Sequence, residues 1–148
     1  MQTAFNATLP LVIGSDHAGY DYKEQIKKVL TAAGWQVVDK GTYSTASTDY
    51  PDYAHPVATM VEQGEAAVGI LICGSGNVVC MTANKHHDIR AALCWNEELA
   101  ALSRQHNNAN VLCIPARFVS LELAEAMTNT FLTTPFEGGR HQKRVEKI

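Results

Sequence analysis

Residues Gly69 to Lys85 read GILICGSGNVVCMTANK. An apolar run, Val68 to Ile72, ends at Cys73 and breaks into Gly74-Ser75-Gly76 before helix-forming residues resume at Met81. A strand that stops in glycines and turns into a helix leaves backbone N–H groups without partners at the strand's carboxyl end. Open parallel sheets bind their ligands at that edge. The stretch therefore predicts an α/β fold with a site organised around Cys73.

The segments on either side alternate between the two periodicities. Before it, Leu11 to Ile13 reads as a strand broken by Gly14-Ser15-Asp16-His17-Ala18-Gly19. Tyr22, Ile26, Val29, Leu30 and Ala33 then form a helical stripe closed by Gly34. Trp35 to Val38 is a second strand, Gly41 to Asp49 a polar loop, and Asp52 to Gln63 a helix burying Tyr53, Val57, Met60 and Val61. Pro56 must lie in that helix's first turn or bend it. The third strand is Val68 to Cys73, and the helix after the glycine turn reaches about Lys85. Ile89 to Leu93 is the fourth strand, Asn96 caps a helix facing Leu99, Leu102 and His106 inward, and Val111 to Ile114 is the fifth strand. Ser120 caps a last long helix with Leu123, Met127 and Phe131 on its inner face. This alternation predicts one domain over residues 1–148: a three-layer α/β/α Rossmann-like sandwich around a five-stranded parallel sheet, with an N-terminal extension at 1–8.

Composition narrows the function classes. The chain has 148 residues, 46% of them apolar and 18% charged, which suits one ordinary globular domain. A net charge of -3 argues against general nucleic-acid binding. No apolar stretch approaches the roughly 20 residues that cross a membrane, and MQTAFNATLP lacks the features of a secretion signal, so a cytoplasmic location is expected. Cys73, Cys80, Cys94 and Cys113 show neither a C-x-x-C pair nor zinc-site spacing and read as reduced thiols. The tail, residues 136–148, gathers Arg140, His141, Lys143, Arg144 and Lys147, either as a solvated helix or as an anion clamp.

Known glycine-turn chemistries fail on particular residues. A dinucleotide fingerprint needs glycine at Val79, a C-x5-R phosphatase needs arginine there, and a nucleotide-hydrolase loop needs a Gly-Lys-Ser/Thr ending. A dithiol centre lacks its second cysteine. What survives is one thiol beside backbone donors. A thiolate facing a helix N-terminus is an acid or base suited to neutral pH, and the same N–H groups can hold an oxyanion. From the local residues alone, Cys73 is equally well a buried structural thiol. Asp16-His17 ends strand one at the same sheet edge, as a capping pair or as part of the site. His106, at its helix end, has the alternative of a simple C-terminal helix cation.

Seven blocks in order, GSDHAGY (14–20), TDYPDYA (48–54), GILICGSG (69–76), ANK (83–85), IRAAL (89–93), LSRQHNNANVL (102–112) and PFEGGRHQKRV (135–145), resemble the type B ribose-5-phosphate isomerases. That family also contains galactose-6-phosphate and allose-6-phosphate isomerases. The resemblance implies an aldose–ketose isomerase interconverting ribose 5-phosphate and ribulose 5-phosphate through a cis-enediolate, with no metal and no cofactor. It implies Cys73 as the base that moves the proton between C1 and C2, with the amides of Gly74, Ser75, Gly76, Asn77 and Val78 holding the enediolate. It also implies Ser75 and His106 in ring opening, Asp16, Tyr50 and Asn107 on the sugar, and His17, Arg117, Arg140 and Arg144 on the phosphate. Such enzymes are homodimers, some paired into tetramers, whose sites draw on both chains.

One departure bears on the cradle. The family turn runs C-G-[ST]-G-x-G, and Val78 stands at the last glycine. Either Val78 already lies in the helix with ordinary angles, or the cradle has changed shape, because a left-handed valine is strained. A six-carbon sugar phosphate, or phosphosugar binding with impaired catalysis, are the alternatives this residue raises. Ser75 for threonine keeps the hydroxyl, and Asp88 occupies a turn where glycine is frequent.

Overall fold

A computed structural model describes residues 1–148. Five parallel strands, β1 (Leu11–Ser15), β2 (Val37–Asp39), β3 (Val68–Cys73), β4 (Ala91–Leu93) and β5 (Val111–Pro115), form one sheet in the order β2-β1-β3-β5-β4. The helices are α1 (Tyr20–Ala32), α2 (Pro51–Glu62), α3 (Asn77–Ala83), α4 (Glu97–Gln105), α5 (Leu121–Thr133) and α6 (Arg140–Val145). None is long and apolar enough to cross a membrane.

Period-two alternation sorts the strand side chains onto two faces. Leu11, Ile13, Ile70, Ile72, Leu112 and Ile114 pack with residues of α1, α4 and α5, among them Ile26, Ala100, Met127 and Phe131. Val12, Leu71, Cys73, Val111 and Cys113 face the other way, against Ala54, Val57 and Ala58 of α2 and Val79 and Ala83 of α3. The expected three-layer α/β/α sandwich is thus present, and Cys73 points into the α2–α3 layer.

Register sets where the site must be. Ser15 pairs with Ile72 and Cys73 with Pro115, so β1, β3 and β5 end together. The chain winds outward from β1 to β2 and then crosses back to place β3 on the other side of β1, so its direction switches between β1 and β3. The turn after β1, a short 3-10 helix over His17–Gly19, is pressed onto β3: a Cβ at Gly19 would stand 2.5 Å from the Ile72 carbonyl oxygen.

Several element boundaries differ from the sequence expectation. β1 continues through Gly14-Ser15, because both residues pair with β3. β2 starts at Val37 rather than Trp35, α2 starts at Pro51 and so carries Pro56 beyond its first turn, α3 stops at Ala83, and β4 starts at Ala91. Val29 is exposed, while Lys23 takes its place on the buried side of α1. In α4 the buried residues are Ala100, Ser103 and Arg104, with Leu99 and Leu102 only half-buried. The extension at 1–8 lies on α5: the Ala4 N–H donates to Leu132 O at 2.8 Å, and Phe5 stacks on Phe131.

Lys23 is fully buried because its charge is matched. Its Nζ lies 2.6 Å from Asp39 Oδ2 and 2.9 Å from Glu24 Oε2, and Lys27 Nζ joins both carboxylates at 2.8 and 2.9 Å. Burial pushes the Asp39 carboxyl up, but the two ammoniums and the Gly41 N–H more than offset it and hold it below the ordinary range. The stability this contributes is complete above the unfolded carboxylate value of about 4 and is lost as pH falls through the lower folded value. Lys23→Met is expected to lower unfolding free energy in urea by about 3 kcal/mol and to flatten the acid limb of stability between about pH 5 and 3. A loss under about 1 kcal/mol, the size of a surface pair, would mean that Lys27 alone satisfies Asp39.

Candidate active site

β3 delivers Cys73 to the sheet's carboxyl edge, where the chain must leave the strand and enter α3 within three residues. Gly76 makes that turn with φ 73°, and a Cβ there would stand 2.5 Å from Leu93 Cδ1, so only glycine fits. The loop after β5 clamps the turn from the side, with the Ala116 N–H donating to Cys73 O and the Arg117 N–H to Gly74 O. The Gly76 N–H donates to Cys73 Sγ at 3.1 Å, and the Asn77 N–H to Ser75 Oγ at 3.3 Å. The amides of Gly74, Ser75 and Val78 donate to nothing within the chain. Val78 is the second residue of α3 and its φ is not positive, so the valine causes no left-handed strain.

Around this turn lies a cavity of about 380 Å³ lined by residues from all three strand ends, including Asp16 and His17, Cys73, Ser75 and Val78, and Arg117. Asp16 does cap the turn, accepting the Gly19 N–H on Oδ1 at 3.1 Å, which leaves Oδ2 for other partners. His17 Nδ1 accepts the Thr48 N–H at 3.2 Å, so a neutral His17 carries its proton on Nε2, ready to donate. Arg117 lays its side chain across Gly74, where a Cβ would meet Arg117 Cδ at 3.1 Å. Tyr50 precedes α2, stands exposed and does not line this cavity. The aromatic rings of Trp95 and Phe118 stand 54% and 75% exposed around an adjoining pocket that also touches Ser75.

The remaining expected residues are elsewhere. α4 runs back across the sheet, so its end lies at the amino edge of the strands. There the Asn110 N–H donates to Arg90 O and the Gly69 N–H to Asn110 O. Four residue steps along β3, about 13 Å, separate Gly69 from Cys73. His106, Asn107 and Arg144 line a second cavity of about 270 Å³, which shares no residue with the first. Arg140 sits on the same α6 and is exposed. Folding of one chain therefore gathers Cys73, Ser75, Asp16, His17 and Arg117, and gathers His106, Asn107 and Arg144 apart from them.

This second group is anchored firmly. Buried Arg104 donates from Nε to Thr134 O and from a terminal nitrogen to Ala109 O, tying the end of α4 to the segment that leads into α6. Asn108 supplies the one left-handed non-glycine residue, φ 49°, that turns the chain after His106. The His106 and His141 rings stack with centroids 4.3 Å apart and 14° between planes. Glu137 Oε1 lies 3.9 Å from His106 Nε2 and 3.7 Å from His141 Nε2. Burial, with His106 and Arg140 adding to it, lowers the His141 pKa against the pull of Glu137. Sequence reasoning gave Glu137 no role and placed His141 only among the cationic groups of the tail, although their i,i+4 spacing beside Arg140 was visible.

Cys94 and Cys113 behave as core thiols. Burial pushes Cys94 up to about 11 and Cys113 well above an ordinary thiol. Cys80 is only half-buried and is held below its ordinary value by a hydrogen bond with Cys113. Two larger clefts, of about 490 and 510 Å³, lie against α1 and α5 and beside β4, lined mainly by apolar side chains.

The family model described as Ribose/Galactose Isomerase matches residues 11–148. The chain belongs to the ribose/galactose isomerase family. Its relative in Escherichia coli strain K12, ribose-5-phosphate isomerase B, is 48% identical over 138 residues, covering 93% of each chain. Among solved structures of the family, ribose-5-phosphate isomerase B of Clostridium thermocellum superposes with a TM-score of 0.93 at 45% identity, covering 94% of each chain. The Mycoplasma genitalium isomerase B with bound ribulose-5-phosphate gives a TM-score of 0.92 at 45% identity, covering 96% of this chain and 95% of that one.

Proposed function

We propose that this chain is an aldose–ketose isomerase interconverting ribose 5-phosphate and ribulose 5-phosphate, working as a homodimer with each site built from both copies. The observation that carries the reading is Cys73 on a turn with free amides, flanked by His17 and Arg117, at the sheet's topological switch. The activity is that of the relatives named above, and the bound ribulose-5-phosphate of the Mycoplasma genitalium structure fits it.

In the forward direction the sugar first opens. His106 of the second copy and the Ser75 hydroxyl move the proton between the anomeric hydroxyl and the ring oxygen. The Cys73 thiolate then takes the C2 proton, and the electron pair it leaves forms the C1–C2 double bond as charge passes to O1. The free amides of Gly74 and Ser75 receive that oxyanion, in a turn already fixed by its contacts to β5. The thiol returns its proton to C1, and the O2 proton passes to O1, so that the C2 ketone and the C1 hydroxyl form together. Asp16 and the second copy's Asn107 hold sugar hydroxyls. His17 and Arg117 grip the phosphate together with the second copy's Arg140 and Arg144, whose guanidinium forks match its oxygens. Tyr50 joins the sugar contacts only if the polar loop before α2 moves inward.

The dimer is part of the mechanism, because His106 and the tail cannot reach Cys73 of their own chain past the length of β3. The exposed Trp95 and Phe118 beside Ser75 fit a surface that a second copy covers. Four unbridged cysteines fit a reducing, cytoplasmic setting.

Val78 projects from α3 into the cavity where the family has glycine, which shortens the space available to the sugar and favours five carbons over six. A panel of ribose 5-phosphate, allose 6-phosphate and galactose 6-phosphate is expected to give the highest kcat/KM on the ribose ester. Turnover of the six-carbon sugars alone would overturn the substrate assignment. Phosphosugar binding without deuterium exchange at C2 would overturn the enzyme.

A further inference from the structure

We infer that Phe5, in the N-terminal extension, is a positioning residue for His106 and acts on it through the buried guanidinium of Arg104. Phe5 lies outside the residues 11–148 that the family model matches. The inference rests on the ring-opening role proposed for His106 and concerns what keeps that residue in place.

Arg104 stands two residues before His106, in the last turn of α4. It is 4% exposed, yet it forms no ion pair with a carboxylate. Burial, with Arg90 adding to it, lowers its pKa to about 10, so it stays charged at neutral pH. Oxygen acceptors and an aromatic face meet this charge instead. Nε donates to Thr134 O at 3.0 Å, and one terminal nitrogen donates to Asn108 Oδ1 at 3.1 Å and to Ala109 O. Cζ stands 4.3 Å from the centroid of the Phe5 ring and 5.8 Å from that of Phe131. A desolvated guanidinium within about 6 Å of a ring face is attracted by the ring's quadrupole.

Phe5 is itself fixed. Thr3 Oγ1 and the Ala4 N–H donate to Leu132 O at 3.0 and 2.8 Å, and the Phe5 ring stacks on Phe131 at 5.9 Å. The acceptors that Arg104 holds all border His106. Asn108 and Ala109 form the left-handed turn just after it. Thr134 starts the segment that reaches Glu137, whose N–H donates to Gln105 O at 3.1 Å, and then His141, whose ring stacks on His106. Without the Phe5 ring, water reaches the guanidinium and competes with these acceptors, and the end of α4 loses its fixed position. Phe5 packs on the α1, α4 and α5 side of the sheet, whereas Cys73 faces α2 and α3, so the thiol half of the site is untouched.

Ribulose 5-phosphate separates the two halves of the chemistry. Its O5 is esterified, so it forms no furanose, and exchange of its C1 proton needs the thiol but no ring opening. Phe5→Ala is expected to lower kcat on ribose 5-phosphate about tenfold or more, as a misplaced acid–base group does, and to leave deuterium wash-in at C1 of ribulose 5-phosphate within about twofold. Phe5→Tyr keeps the ring face and should restore the ribose 5-phosphate rate. Ile26→Ala, a core truncation in α1, should lower the melting temperature without separating the two rates. A second reading needs no turnover: the ring protons of His106, shifted upfield in NMR by the stacked His141 ring, should move toward their free-histidine values in Phe5→Ala and return in Phe5→Tyr. Equal loss on both sugars, a ribose 5-phosphate rate in Phe5→Ala within about twofold of wild type, or an unmoved His106 resonance would overturn the positioning role. A wild-type chain that turns over neither sugar, but whose His106 resonance still moves in Phe5→Ala and returns in Phe5→Tyr, would count against the isomerase and not against the positioning.

Discussion

Replacing Cys73 with alanine is expected to lower kcat for ribose 5-phosphate isomerisation by at least about a thousandfold while leaving the fold intact. The loss follows from the position of Sγ: it accepts the Gly76 N–H at 3.1 Å and lines the cavity on the same turn as the unpaired amides of Gly74 and Ser75, where the proposed oxyanion forms. Asp16 and His17 also line the cavity, but from the turn after β1, where they accept the Gly19 and Thr48 amides. Stability should change little, since the substitution removes a single sulfur from a cluster that keeps Val12, Leu71 and Val79, at a cost of about 1 kcal/mol. Cys113→Ala is the matching control, because Cys113 is buried in the same cluster and is expected to affect stability and not turnover. Circular dichroism, kcat and deuterium incorporation at C2 together decide the question. Turnover within about tenfold of wild type in a folded Cys73→Ala chain would place the base elsewhere.

What the sequence made legible follows from how each residue earns its place. β3 was readable to the residue because a strand buried on both faces is apolar throughout and its end is marked by glycines. The shared edge of Asp16, His17 and Cys73 followed from parallel strands ending together, and the register bears this out. Lys23 was not readable: a periodic pattern treats lysine as outward-facing, whereas here Asp39 and Glu24 make burial tolerable. The buried face of α4 was misplaced for a related reason, since buried Arg104 is satisfied by backbone carbonyls at Thr134 and Ala109 that no local pattern reveals. The position of His106 was implicit all along. A helix between two parallel strands must return to the amino edge, so a residue following α4 lies opposite a residue following β3. That geometry, applied to the chain order, already separates His106 from Cys73.

Two inactive variants should therefore rescue each other. In the shared-site dimer proposed above, Cys73→Ala and His106→Ala homodimers would each lack one member of both sites and are expected to be nearly inactive. Mixed by dissociation and reassociation, equal amounts should assort so that half the dimers carry one copy of each variant. In such a heterodimer one site has lost both residues, while the other joins an intact Cys73 half to an intact His106 half. About one quarter of wild-type activity should return, because half the dimers hold one good site of two. Arg144→Ala should complement Cys73→Ala in the same way, since Arg144 lines the cavity that holds His106, whereas Arg117→Ala should not, because Arg117 lies beside Cys73. The failure of Arg117→Ala is as informative as the success of Arg144→Ala, since a rescue due merely to stabilisation by mixing would not distinguish them. No recovery with His106→Ala, with subunit exchange verified by mass, would mean that each site is completed within one chain by a rearrangement carrying α6 across the sheet.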